Sequence, residues 1–170
     1  MSASSQVWIL IDYNLCTGCR LCEIACTLKH EGLIWPDASR IKVFEPYPGV
    51  PVPQVCVQCP DYPCVASCPT KALKVSDVSG AVLVDSALCT LCGNCVKACP
   101  GGIPRIVKGF SYVIICDLCG GDPACVKECS RVGYNALKLI KKPSSTTIKL
   151  YAKPPEVIAE DLKERVLGGE

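Results

Sequence analysis

Large side chains are scarce in this chain. Its 170 residues include two Phe, two Trp, one Met and one His, too few to fill a core in the ordinary way. No apolar run approaches the ~20 residues that span a bilayer, so no membrane span is expected. The first six residues lack the basic stretch, long apolar stretch and twin arginine of an export signal, which points to a cytoplasmic, reducing compartment. An excess of one charge is missing too: 18 basic residues face 16 acidic ones with no basic stripe, and a nucleic-acid partner is excluded. Acid–base machinery is equally thin. Glu23 and Glu128 stand beside cysteines but read as solvated helix positions, and His30, the only histidine, reads as a surface residue of a polar loop. No catalytic residue is expected.

What the chain has instead is cysteine, sixteen of them in four groups of four. Residues 89–100 carry Cys89, Cys92, Cys95 and Cys99 followed by Pro100, the spacing C-x2-C-x2-C-x3-C-P. Bacterial ferredoxins hold [4Fe–4S] clusters with this run, its fourth cysteine serving a neighbouring cluster. Cys16, Cys19, Cys22 and Cys26 repeat the spacing, with Thr27 in place of the proline. Cys56, Cys59, Cys64 and Cys68 widen the second gap to four and end in Pro69. Cys116, Cys119, Cys125 and Cys129 widen it to five and end in Ser130. Thiols this close in sequence suit a metal far better than bridges between distant strands. A zinc module fits poorly, because structural zinc sites place their paired cysteines a dozen or more residues apart. Sixteen thiolates against four oxidised cluster cores would turn the formal +2 into about −6. Clusters would also supply the filling that the side chains do not, and no stable metal-free fold is expected.

Between the motifs, strands are expected at residues 7–11, 40–44, 73–84 (a hairpin turning at 77–80), 110–115, 134–140 and 148–152. Pro46, Pro48, Pro51 and Pro53 read as a stiff extended connector. A helical tail over 156–167 puts Ile158, Leu162 and Val166 on one face; it is either a frayed terminus or an arm for a partner or a second copy. The alternation of narrow and wide spacings is an internal repeat. Motifs two and three with their hairpin form one complete two-cluster unit; motifs one and four flank it. The expected fold is α+β, one ferredoxin-like dicluster unit nested within another. The outer unit takes residues 1–45 and 110–142, the inner unit 46–109, and the C-terminal extension 143–170.

The four motifs in this order resemble the four-cluster electron-transfer subunits that accompany molybdenum and tungsten pterin oxidoreductases. The compact fourth motif, residues 116–125, and residues 31–40 (Glu-Gly-Leu-Ile-Trp-Pro-Asp-Ala-Ser-Arg) look like the small iron–sulfur subunit of tungsten enzymes of the aldehyde oxidoreductase family. That resemblance implies four [4Fe–4S] clusters, each held by three cysteines of one motif and the last cysteine of its partner. Cys16, Cys19 and Cys22 would join Cys129, and Cys116, Cys119 and Cys125 would join Cys26. Cys56, Cys59 and Cys64 would join Cys99, and Cys89, Cys92 and Cys95 would join Cys68. It further implies a large tungsten or molybdenum pterin catalytic subunit oxidising aldehydes to acids, or a related aromatic acyl-CoA reductase. The electron acceptor would be a ferredoxin, a flavin subunit or another soluble carrier. A free-standing polyferredoxin is the alternative.

Overall fold

The computed structural model describes residues 6–167. The β-branched run Val7–Ile11 forms strand β1, burying Trp8, Ile9 and Ile11. It leads through a short turn, capped by the Asp12 carboxylate on the Asn14 N–H, into the first cysteine run. Helix α1, Leu21–Glu31, follows and stops at Gly32, whose φ of +70° is the left-handed end that glycine adopts without penalty. Strands β2 (Lys42–Tyr47) and β3 (Val50–Gln54) make an antiparallel hairpin. The second and third cysteine runs enclose helices α2 (Pro63–Ala66) and α3 (Asn94–Ala98), with the hairpin of β4 (Leu73–Val75) and β5 (Val82–Val84) between them. Both helices end beside Cys-Pro dipeptides, where proline's missing N–H stops a helix. Helix α4 (Ala124–Arg131) carries the fourth run, and β6 (Leu137–Lys141) returns to pair antiparallel with β1, Val7 opposite Lys141 and Ile11 opposite Leu137. Helices α5 (Ser145–Tyr151) and α6 (Pro155–Leu167) complete the chain.

Helix α1 packs on α4, and α2 packs on α3. The main core is aliphatic and sulfur: Ile9, Ile11, Ile41, Val82, Ile115 and Leu137 lie among the buried cysteines 22, 26, 56, 64, 95, 116 and 125. Trp8, fully buried, stands in a separate small cluster with Val57 and Ile148, donates its indole N–H to the Val57 carbonyl at 2.8 Å and meets Tyr151 edge-on at 5.1 Å.

Several expectations need correction. Residues 110–115 give only an isolated bridge, Arg105 to Ile114, because each makes a single pair of backbone bonds before the chain turns away. The strand expected at 148–152 is the helix α5: the Ser144 hydroxyl accepts the Thr147 N–H, and this cap outweighs the β-branched residues behind it. The proline-rich connector is the β2–β3 hairpin, with Pro46 in β2, Pro48 in the turn and Pro51 and Pro53 in β3, tolerated because each strand of a two-stranded sheet has a free edge. The tail packs on its own chain. Ile158, Ala159 and Leu162 of α6 cover Val50 and Val52 of β3, so that face is not free for a partner; the Val166 side chain lies outside the described residues. Residue 45 falls inside β2, so the hairpin straddles the expected division at 45/46.

Candidate metal centres

Each cysteine run folds into the same backbone device. The residue just before the second cysteine has a left-handed φ in all four runs: Gly18 at +71°, Gln58 at +45°, Leu91 at +54° and Leu118 at +57°. For the three that are not glycine this costs about 1–3 kcal/mol each, an outlay that persists where function or context demands it. The turn aims N–H groups inward as an anion-binding nest. In three runs the N–H of that residue points at the first sulfur: Gly18 at Cys16, Gln58 at Cys56 and Leu118 at Cys116. In all four, the N–H after the third cysteine points at that cysteine's own sulfur: Glu23, Val65, Val96 and Val126 serve Cys22, Cys64, Cys95 and Cys125.

The runs then meet in pairs. Cys56, Cys59 and Cys64 line a narrow cavity together with Cys99, walled by Val57, Val82 and Ile115. Cys89, Cys92 and Cys95 line a second together with Cys68, walled by Leu73 and Val113. Helix α3 produces this crossing, since Cys95 inside it faces one cavity while Cys99, at its extended C-cap, faces the other. On the opposite side, α1 presents Cys22 and Cys26 one turn apart and α4 presents Cys125 and Cys129 likewise. Cys129 comes close enough to Cys16 for their thiolates to repel, and Cys26 does so with Cys116, Cys119 and Cys125. Eight of the predicted cysteines thus gather into two groups of three plus one, and in the outer runs Cys129 approaches Cys16 while Cys26 approaches Cys116, Cys119 and Cys125.

Burial is the largest influence on the acidity of the buried cysteines. It pushes the Cys22 thiol up to about 12, with Glu23, Cys16 and Cys19 adding repulsion, and Cys64 up to about 11, with Cys99 adding to it. The thiols of Cys56, Cys116 and Cys125 are raised as well, again mainly by burial. Burial also acts on Cys26, but donors from His30, the Arg40 N–H and Ser39 outweigh it and bring that thiol down. Cys68 is lowered in the same way, by the N–H groups of Leu73, Ala72 and Thr70 and by the Thr70 hydroxyl. Cys19 and Cys92 are the exposed cysteines.

Two residues read as surface positions are not. His30 lies in the last turn of α1, its side chain 15% exposed. Its Nδ1 donates to the Cys26 carbonyl at 2.9 Å and its Nε2 to Asp117 at 3.1 Å, so both nitrogens carry protons. The Asp117 and Cys26 contacts hold its pKa up to about 10, while Asp117 is held below the usual carboxylate range because the His30 bond and the Cys119 N–H outweigh burial. Glu23 is 1% exposed; it accepts the Val43 N–H at 2.6 Å and faces Lys42 at 3.7 Å. Glu128 is solvated as expected and pairs with Arg131.

A donor set of thiolates inside aliphatic walls, with N–H groups turned on the sulfurs, fits an iron–sulfur cluster. Residues 49–138 match the 4Fe–4S dicluster domain. The chain belongs to this family. A relative from Pyrococcus furiosus, the polyferredoxin-like subunit of an aliphatic sulfonate oxidoreductase, is 52% identical over 163 residues, 96% of this chain and 94% of that one. Formate hydrogenlyase subunit 2 of Escherichia coli is 32% identical over 161 residues, 72% of this chain and 77% of that one. Among solved structures, the active-site complex BamBC of benzoyl coenzyme A reductase with benzoyl-CoA is similar at 24% identity and TM-score 0.47, over 94% of this chain and 90% of that one. That likeness is too distant to bear on function. This dicluster-family chain is thus a 4Fe–4S protein, and among its described residues no helix is long and apolar enough to cross a membrane.

Proposed function

We propose that the chain is a non-catalytic electron-transfer subunit holding four [4Fe–4S] clusters, one at each group of three cysteines plus one from the partner run. Such clusters supply one-electron carriers. The observation that carries the reading is the crossing of the fourth cysteines: Cys99 lines the cavity of Cys56, Cys59 and Cys64, and Cys68 that of Cys89, Cys92 and Cys95. The same logic assigns Cys129 to Cys16, Cys19 and Cys22, and Cys26 to Cys116, Cys119 and Cys125. In this reading one ferredoxin-like unit is nested inside another, joined by the β1–β6 pair. Cys116 lies near Cys56 as well as Cys26, which sets the two buried sites side by side between the two that open to solvent at Cys19 and Cys92. That order suits passage from one surface to another. The residues of this chain hold the thiolates, exclude water and supply the N–H donors that fix potential.

The partner is a large tungsten or molybdenum pterin subunit in a cytoplasmic, anaerobic complex. Its reaction is aldehyde oxidation, from the resemblance of residues 31–40 and 116–125, or the oxidoreduction of an aliphatic sulfonate, which the relative at 52% identity favours. Elemental analysis of the complex purified anaerobically tests the assignment. The expected result is about sixteen iron per copy of this chain and tungsten in a large stoichiometric subunit, followed by turnover of an aliphatic aldehyde or sulfonate. Molybdenum would move the partner to a different group, iron without a partner would leave a polyferredoxin, and zinc without iron would refute the proposal.

A further inference from the structure

One wall of the cavity lined by Cys68, Cys89, Cys92 and Cys95 is Ile106, and the other face of the same residue lines an open groove. Trp35, Asp37, Val96, Pro104, Arg105 and Lys108 are among the residues that line the rest of that groove. It is held in shape before any partner arrives. Trp35 stacks on Phe110 at 5.2 Å, the loop after α3 is tied by the paired backbone bonds between Arg105 and Ile114, and the Arg105 guanidinium donates to the Ser39 carbonyl. Gly109, at φ +99°, lets the loop close on Trp35, where a Cβ would lie 3.1 Å from the indole. Ile106 is 50% exposed and Ile34, beside Trp35, 64%.

The rim of this face is cationic. Lys108 lines the groove, Lys97 follows Val96 on α3, and Lys71 and Lys74 flank Ala72 and Leu73, which line the cysteine cavity. All four lysines are exposed, and among the described residues none has a carboxylate within ion-pair distance. Of the acids nearby, Asp37, which lines the groove and is largely exposed, faces Lys42 at 4.0 Å, and Asp85 accepts the Ala87 N–H. By contrast, Lys127 and Arg131 on α4, beside Cys129, are paired with Asp122 and Glu128.

We propose that this face is the docking site for a small acidic electron-carrier protein of the low-potential ferredoxin class, an inference that rests on the electron-transfer reading above. The unpaired Lys108 in the groove and Lys97 next to its Val96, with Lys71 and Lys74 next to residues of the cysteine cavity, are the charge complement of such a partner. They steer encounter, which long-range attraction speeds by about 10- to 1,000-fold, while the limited patch keeps the complex transient. Ile106, which lines both the groove and the cysteine site, then lies between the docked carrier and that site. In the transfer, one electron leaves the reduced site at Cys68, Cys89, Cys92 and Cys95 and one oxidised carrier is reduced; no bond is made or broken and no proton moves.

The test uses the cluster-loaded protein, reduced with dithionite and mixed in a stopped-flow instrument with a strongly acidic two-cluster bacterial ferredoxin. The variants are K97E/K108E, the milder K97Q/K108Q, and K138E/K149E on β6 and α5 as a control, all checked for unchanged iron content. Expected are a second-order rate at least tenfold lower for K97E/K108E at low salt, an intermediate fall for K97Q/K108Q, a flattened salt dependence in both, and no change in the control. Carbodiimide, which joins lysine amines to carboxylates in contact, should link the carrier to Lys97 and Lys108. Rates equal to the parent's in both lysine variants would overturn the proposal. So would loss of a co-purifying large subunit from K97E/K108E, since the face would then be a fixed interface. A parent protein that dithionite reduces but that never passes electrons to the ferredoxin overturns the docking site alone; one that dithionite cannot reduce overturns the electron-transfer reading with it.

Discussion

Cys99→Ser is expected to strip the site of motif two, not that of the motif in which Cys99 sits. Cys99 faces the cavity of Cys56, Cys59 and Cys64, whereas Cys89, Cys92 and Cys95 keep their own fourth partner in Cys68. Iron should fall by about one atom per chain if a three-iron remnant survives and by about four if the site empties. Location is read by alkylation of the native protein with iodoacetamide followed by peptide mass spectrometry, since only thiols that hold no iron react. The structure sets the time needed. Burial raises Cys64 to about 11, so about one molecule in a thousand is thiolate at pH 8 and about one in a hundred at pH 9; overnight labelling at pH 9 is required. Cys59, only half-buried, should be modified before the buried Cys56 and Cys64. Removing Cys99 also removes a like charge from Cys59 and Cys64, which eases labelling further. Modification of Cys89, Cys92 and Cys95 with Cys56, Cys59 and Cys64 protected would refute the crossing.

His30 offers a pH test. Its folded pKa of about 10 lies above the unfolded value, so its stabilisation is complete below about pH 6.5 and is lost as pH rises through 10. Because Asp117 is 36% exposed, solvent screening leaves about 1–2 kcal/mol of this, and anaerobic melts of the loaded protein should fall across that window while His30→Gln shows a flat profile. Trp8→Phe removes the donor to the buried Val57 carbonyl, at a cost of about 2 kcal/mol; a melting point lower by about 4–8 °C is expected, and an unchanged one refutes the contact. Leu162→Ala empties part of the patch between α6 and β3, so about 2–3 kcal/mol is lost and limited proteolysis should remove the tail while iron content stays constant. A fall in iron on that substitution would mean that α6 supports the cysteine sites after all.

The cysteine groups were legible because the information is local: a run of four within eleven to fourteen residues folds on itself, and its spacing survives any tertiary context. The pairing of β1 with β6 followed from the repeat. What escaped is what depends on distant partners. His30 looked superficial because Asp117, which fixes it, lies 87 residues away, and Glu23 looked solvated because its donors come from β2. Helix α5 was hidden because residues 148–152 read as strand-like and the Ser144 cap that starts the helix lies in the Pro/Ser/Thr-rich segment before them. The left-handed backbone of Gln58, Leu91 and Leu118 left no trace, since these are not the glycines that such turns usually advertise.

Those strained positions and the raised thiols point the same way. In the four-cluster reading, a chain without clusters would bury protonated thiols in its main core and keep Gln58, Leu91 and Leu118, three of its eight described non-glycine residues with positive φ, in turns around an empty nest. Loading a cluster exchanges the thiol protons for metal bonds and gives the inward N–H groups a charged acceptor. The cost of each turn is therefore recovered only in the loaded state. In the four-cluster reading, folding and cluster assembly become one equilibrium, and the scarcity of large side chains follows from it: the space they would fill is left to sulfur and iron.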